Sequence, residues 1–381
     1  MAGTTTFLQS ITTQVVVPSD LAWQECLNLI PHDFYHLPGY LGLEADRING
    51  VAEAIIVEDG ESVFFLPYII RNCDPIIGDI RAINDDRIYD IVSPYGYPGM
   101  LVNESGQNTQ FITTALNTIY ENWSQRNICS AFLRLHPLLN SYIDPAISDR
   151  YDSVDRHAPS ERTNLRGEVV ICDLTQTLAE IWSQIRSNHR TKINKLKRTG
   201  FTVKMGSIEE YFDVFIDIYT ETMHRVNATQ TYYFTRDYFD RFIKTLGEGV
   251  NICVVETAGT AIAACLVTEF NGIVQYHLGG TRTEFLSQSP TTMMLHYIIE
   301  WGQQRHNRYL NLGGGLGSNQ DSLYHFKSGF SKESKSFATM EVIVNRHLYD
   351  RLISLRAESS GMALPLFEQT SFFPVYRLPL A

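Results

Sequence analysis

The sequence has no apolar run of the roughly 20 residues that a membrane-spanning helix needs, so no bilayer span is expected. Its start, MAGTTTFLQSITTQVVV, has neither the basic opening nor the long apolar segment of a secretory leader. The six cysteines (Cys26, Cys73, Cys129, Cys172, Cys253, Cys265) are scattered and form no C-x-x-C pair. That excludes a zinc ribbon or a disulfide framework and suits small buried thiols in a reduced cytoplasm, the expected location. His32 and His36 share helical spacing without a third ligand in sight, so no metal site is expected. No G-x-S-x-G elbow, Walker loop or dinucleotide glycine fingerprint is present. Gly313-Gly314-Gly315-Leu316-Gly317 follows a strand but lacks the lysine and serine that close a phosphate loop. Positive charge is in the minority: 31 Lys and Arg against 42 Asp and Glu give a net charge of −11. The surface as a whole should not attract polyanions, which makes any local basic cluster informative.

What is present is ample core material. With 44% hydrophobic and 12% aromatic residues in 381, two packed domains are more economical than one large core. Residues 15–45 read as a helix pair opened by Pro18-Ser19-Asp20 and broken at Pro31 and Pro38. Ala54–Arg71 is a hairpin turning on Glu58-Asp59-Gly60, and Ile88–Val102 a strand with a rigid aromatic and glycine turn. A helix over Phe111–Arg126 and a strand over Ala131–Leu135 follow, then a polar run from the 140s to Arg166 that reads as a linker or a long surface loop. The second half repeats the order, with helices over Ile208–Arg225 and Asp237–Leu246 and a strand pair over Asn251–Phe270. Next come a strand over Gly272–Thr281, a helix over Thr291–Gln304 and a strand over Tyr309–Leu312. IIVEDGESVFFLPYII parallels CVVETAGTAIAACLVT, and TIYENWSQRNICSAFLRL parallels YIIEWGQQRHNRYLNL, which implies a duplicated α/β domain. A strand over Met340–Val344, an amphipathic helix over His347–Glu358 and an aromatic tail complete the chain. That tail, Phe372-Phe373-Pro374-Val375-Tyr376-Arg377, should dock back on the first domain instead of exposing its rings.

Three stretches carry candidate chemistry. In YLNLGGGLGSNQDSLYHFKSGF (Tyr309–Phe330) the glycines suit a close backbone approach by a ligand or another chain. Lys327 there is a cation beside aromatic rings that is either an anion stabiliser or a solvated lysine. Ile181–Ile208 holds seven Lys or Arg and no acid (Arg186, Arg190, Lys192, Lys195, Lys197, Arg198, Lys204). Ile181, Ile185, Ile193 and Leu196 give that segment a helical apolar stripe, leaving the cations for the phosphates of a nucleotide or an RNA end, or for acids elsewhere in the fold. Ser289-Pro290-Thr291-Thr292 opens the helix MMLHYIIEW, with Ser289 as N-cap, so its free backbone N–H groups could bind an anion. Tyr276, in the strand VQYHLGG, is a candidate hydrogen-bond donor to an acyl carbonyl or a core tyrosine.

Taken in order, RSNHRTKINKLKRTGFTV, ETMHRVNATQTYYF, VQYHLGGT, SPTTMMLHYIIEWG, YLNLGGG and HFKSGF resemble the Fem aminoacyl transferases and the wider FemAB-like (BioF2-like) acetyltransferase group. The match covers most of 173–345 and, more loosely, the first half. It implies an α/β (α+β) fold of two tandem GNAT-like domains, each a mixed twisted sheet flanked by helices. The first would cover 1–172 with a C-terminal return over 346–381, the second 173–345. The implied activity is amide formation on an amine acceptor, from aminoacyl-tRNA or, alternatively, acyl-CoA as co-substrate, with no cofactor and no metal. A non-catalytic binding relative of the same fold is the third possibility. The acceptor would be an amine-bearing small molecule or envelope precursor. Lys327 matches the family's charge-stabilising lysine and Tyr276 its central-strand tyrosine, and both are expected to be catalytic. Arg190, Lys192, Lys195, Ser289, Thr291 and Thr292 would hold the donor. Arg225, Tyr232, Tyr233 and Phe326 would hold the acceptor. The chain departs from the family at Leu278, where a second aromatic is expected, near Glu44 or Ala45 for a lysine, and near Val102-Asn103 for an acid. The coiled-coil arm is absent, and Ser287–Thr292 does not spell the acetyl-CoA loop of simple GNAT enzymes.

Overall fold

The structure is a computed structural model that describes residues 11–77, 87–140, 159–361 and 370–379. The chain divides into two compact units, Met1–Leu165 with Ala338–Ala381, and Arg166–Phe337. The first contains β1 (Thr12–Val16), α1 (Leu21–Leu29), α2 (Pro38–Arg47), β2 (Val51–Asp59), β3 (Ser62–Asn72) and α3 (Asp74–Ile77). It continues with β4 (Tyr89–Val92), β5 (Leu101–Val102), α4 (Thr109–Gln125) and β6 (Ile128–Arg134). After β7 (Ser160–Asp173) the second unit runs through α5 (Leu178–Gln184), α6 (Ser187–Arg198), β8 (Thr202–Gly206), α7 (Ile208–Arg225) and α8 (Arg236–Leu246). Then come β9 (Val250–Thr257), β10 (Thr260–Phe270), β11 (Ile273–Thr281), α9 (Pro290–Gln304), β12 (Tyr309–Gly313) and α10 (Ser322–Lys327). β13 (Glu333–Ile343) and α11 (Arg346–Ser360) return to the first unit.

Each unit is a mixed sheet flanked by helices, and the two sheets have one plan. The first runs β1-β2-β3-β4-β6-β13 and the second β8-β9-β10-β11-β12-β7. Both are antiparallel except for one parallel pair, β4 with β6 and β11 with β12. A parallel pair cannot be joined by a tight turn, and α4 and α9 supply the two crossovers. The two segment pairs aligned in the sequence are these equivalents: hairpins β2–β3 and β9–β10, and crossovers α4–β6 and α9–β12. Both hairpins close with two-residue turns whose positive φ is taken by Gly60 (+61°) in one and by Ala258 (+48°) and Gly259 (+76°) in the other.

Two elements differ from their sequence reading. Residues 15–45 open in β1, which ends at Val16, before the two helices begin. The linker expected up to Arg166 lies partly outside the described residues, and its end, Ser160–Arg166, is the start of β7. Charge disguised that strand: Glu161 is buried and accepts from the Tyr120 hydroxyl, while Arg162 donates to the buried Glu341 at 2.7 Å.

The aromatic tail is part of the first unit's core. Tyr376 is fully buried with Cys73, Cys129, Ile343 and Leu352. Its hydroxyl donates to Asp90 (3.0 Å) and lies 2.7 Å from Ser130 Oγ. Arg377 joins Arg71 on the same buried carboxylate of Asp90. Truncation of a buried ring leaves a cavity, so Tyr376→Ala should lower the unfolding free energy by about 3–5 kcal/mol. Urea denaturation reads this, and a loss under about 1 kcal/mol would detach the tail from the core.

Candidate functional site

The site is a fork in the second sheet. β11 and β12 pair only over Ile273–Gln275 with Tyr309–Asn311. Beyond that point β11 keeps β10 as its partner and Gly313 of β12 pairs with Val170 of β7. A bulge at the same level leaves His277 extra between the pairs Val267–Tyr276 and Leu266–Leu278. No ladder bonds cross between the diverging parallel strands among the described residues beyond that point.

Lys327 stands at this fork. It ends α10, is only 8% exposed, and its Nζ donates to the Gly314 carbonyl at 2.8 Å. The same nitrogen lies 5.9 Å from the centre of the Tyr276 ring, so the lysine reaches both arms. Burial pulls its pKa down from 10.5 to about 8, with the Asp321 carboxylate opposing the fall. That depression corresponds to about 3 kcal/mol against the charged form. An uncharged side chain of equal length would cost less, so the position is not explained by stability. Tyr276 is half-buried in the second core, and burial, then the nearby Cys265 and Cys253, push its phenol pKa up. The phenol therefore stays protonated, and its hydroxyl makes no hydrogen bond among the described residues. Asn311, which the sequence reading used only as a strand residue, is fully buried at the same fork. Its Oδ1 accepts from the Gly313 N–H at 2.8 Å, while its Nδ2 has no partner among the described residues.

The glycines between the arms make room for the protein's own atoms. A Cβ on Gly315 would stand 2.1 Å from Asn319 O and 2.2 Å from Asp321 Oδ1. Asp321 caps α10 through Tyr324 N–H (2.9 Å) and also accepts from Leu316 N–H (2.9 Å), folding the polar loop back over β12. Gly313 has φ +76°, and a Cβ there would meet Lys327 Nζ at 3.2 Å. The close approach expected of a ligand or second chain is, at these two positions, made by the loop and the lysine.

The basic stretch is divided: α5 ends at Gln184, α6 runs from Ser187 to Arg198, and Lys204 lies in β8. Ile181, Ile185, Ile193 and Leu196 are all buried, as the apolar stripe requires. Several cations have local work. Arg186 donates to the His325 carbonyl (2.8 Å) and Ser328 Oγ (2.8 Å), clamping α6 to α10, and Lys204 pairs with Glu256 at 3.2 Å. Arg190 and Lys195 have no ionic partner among the described residues, and Lys192 Nζ lies 3.3 Å from Ser289 Oγ. α6 thus meets the start of α9. Ser289 does not cap α9, however: its backbone is left-handed (φ 55°) and its side chain bonds no N–H of the first turn. Pro290 has no N–H, and that of Thr292 donates to the Ser289 carbonyl at 3.0 Å. The Thr291 hydroxyl lies 2.8 Å from that of Thr281, and Thr292 is fully buried with its hydroxyl unpartnered.

Arg225 reaches the far end of β11, where it donates to the Thr281 carbonyl (2.9 Å) and to the hydroxyls of Thr283 (3.1 Å) and Thr222 (3.2 Å). Tyr233 donates to Met223 O at 3.2 Å, and the Tyr232 carbonyl accepts from Tyr219 at 2.6 Å. Phe326 packs against His189 and Phe330 in the seam between α6 and α10. Leu278, at the position where the family has an aromatic, is buried. Among the described residues no cluster of three metal-ligating side chains exists, and no helix is long and apolar enough to cross a membrane. Because Gly313 needs positive φ beside Lys327, Gly313→Ala should cost about 1–2 kcal/mol in a denaturant melt. Unchanged stability would mean that the strand end relaxes freely.

Residues 183–328 match the family described as the acetyltransferase (GNAT) domain. The crystal structure of FemX superposes with a TM-score of 0.61 at 11% identity, covering 89% of this chain and 99% of that one. A conserved protein of unknown function from Bacteroides thetaiotaomicron VPI-5482 gives a TM-score of 0.53 at 11% identity, covering 88% and 100%. At such identities these likenesses show the fold. No curated protein sequence matches the chain significantly. Within the second unit, residues 183–328 are thus similar to an acetyltransferase domain of the GNAT type.

Proposed function

We propose that this chain forms an amide bond on an amine acceptor by taking an aminoacyl group from aminoacyl-tRNA. The observation that carries the reading is Lys327, a buried ammonium joined to the Gly314 carbonyl and standing beside Tyr276 at the open end of two parallel strands. In the proposed reaction the neutral amine nitrogen attacks the ester carbonyl carbon and a C–N bond forms. Negative charge gathers on the carbonyl oxygen, where a desolvated cation lowers the barrier most. The ester C–O bond then breaks, and the proton lost by the amine passes to the departing ribose oxygen. Lys327 holds the oxyanion, and Tyr276, protonated and unpartnered, donates a hydrogen bond to the same group. Arg190, Lys192 and Lys195 face donor phosphates with the uncapped start of α9 (Ser289, Thr291, Thr292). Arg225, Tyr232 and Tyr233 form the acceptor side, Arg225 by holding the end of β11 in place. Phe326 backs this arrangement by fixing α6.

The match of residues 183–328 to an acetyltransferase family supports acyl transfer and leaves the donor class to experiment. Charged tRNA should raise the melting temperature of the protein and acyl-CoA should not, as binding to the native state stabilises it. The reverse result would assign the site to a thioester donor. Lys327→Met should lower turnover more than tenfold without lowering the melting temperature, since it removes a desolvated charge. Turnover near the parent rate would remove the lysine from the chemistry, and a chain inert with every donor would favour the binding relative. The wild-type rate should also fall as pH rises through about 8, because the ammonium present below that value is lost above it.

A further inference from the structure

Away from the fork, a cavity of about 340 Å³ opens between α5, the second half of α6 and the middle of α9. Leu178, Trp182 and Ile299 make its apolar wall, and Lys197, His296 and Glu300 its polar end. His296 is only 6% exposed, and its ring meets that of Trp182 edge-on at 4.9 Å. Nδ1 of His296 lies 3.3 Å from Glu300 Oε2 but off the line of a hydrogen bond, and it has no other partner among the described residues. A buried ring nitrogen left in this state beside an open cavity calls for a ligand or a water. Burial pulls the Glu300 pKa up, but His296 and Lys197 outweigh it and hold the pKa below the usual glutamate value. The carboxylate is therefore ionised at neutral pH.

The lining thus presents one negative and one positive group beside hydrocarbon and indole. An anionic ligand would be repelled by Glu300 and a cationic one by Lys197. A zwitterion with an apolar body satisfies all three surfaces. We propose that this cavity binds a free α-amino acid with an apolar or aromatic side chain, its ammonium on Glu300, its carboxylate on Lys197 and its side chain against Trp182 and Ile299. The volume is at the low end for small-molecule sites and suits such a ligand. His296 stands seven residues beyond Ser289, about 10 Å along α9, so the site is distinct from the donor contacts at that helix start.

Isothermal titration calorimetry of the full chain at pH 7 with L-leucine, L-phenylalanine and L-tryptophan tests the assignment. At least one should bind with a Kd under about 1 mM. N-acetyl-L-phenylalanine, which lacks the ammonium, and L-phenylalaninamide, which lacks the carboxylate, should bind at least tenfold more weakly. Glu300→Gln and, independently, Trp182→Ala should weaken the free amino acid tenfold or more with unchanged circular dichroism. Lys327→Met should bind it as the parent does, which separates this site from the acyl-transfer site. No heat with any amino acid at 10 mM, equal binding of the blocked forms, or full binding by both cavity variants would overturn the proposal.

Discussion

The second unit is arranged around one unfavourable act, keeping an ammonium group out of water. Lys327 gives up hydration for one carbonyl at 2.8 Å and the edge of an aromatic cloud, with Asp321 as its nearest counter-charge in effect. Such a cation is tolerated only if its surroundings cannot relax to let water in. The neighbouring structure supplies that rigidity. Asp321 fixes the first turn of α10, Arg186 fixes its last turn to α6, and the loop folds over glycines that leave it no clearance. The strand fork places Gly314 on one side and Tyr276 on the other. A low-dielectric setting also makes the field of the ammonium strong where an oxyanion would form, so the cost in stability and the proposed benefit in rate have one origin.

Much of this was legible in the sequence. The hairpins announced themselves through turn residues, and the crossover helices through apolar spacing followed by short β-rich runs. The duplication could be read from these same segments, and the two sheets do share one strand order. The sequence marks Lys327 as a cation among aromatics and glycines that is either an anion stabiliser or a solvated lysine, and the side chain is buried.

Other features were hidden for physical reasons. β7 was obscured because Glu161 and Arg162 are satisfied by partners far away in sequence, Tyr120 and Glu341, and no local pattern records such pairing. The break between α5 and α6 comes at Ile185, an apolar residue that continues the helical stripe while its backbone is extended (φ −62°, ψ 130°). Ser289 has the composition of an N-cap, and tertiary packing against Lys192 and the preceding turn gives it another conformation. Asn311 had no distinguishing signal, since an unpartnered amide is a property of the fold and not of the residue.

The proposed chemistry depends on the charge state of the Lys327 nitrogen. Direct titration of the Lys327 side chain by NMR, with isotope-labelled lysine assigned through the Lys327→Met spectrum, measures it without reference to substrate. The desolvated site predicts a pKa of about 8. A value at the ordinary 10.5 would show a solvated amine and contradict the central claim.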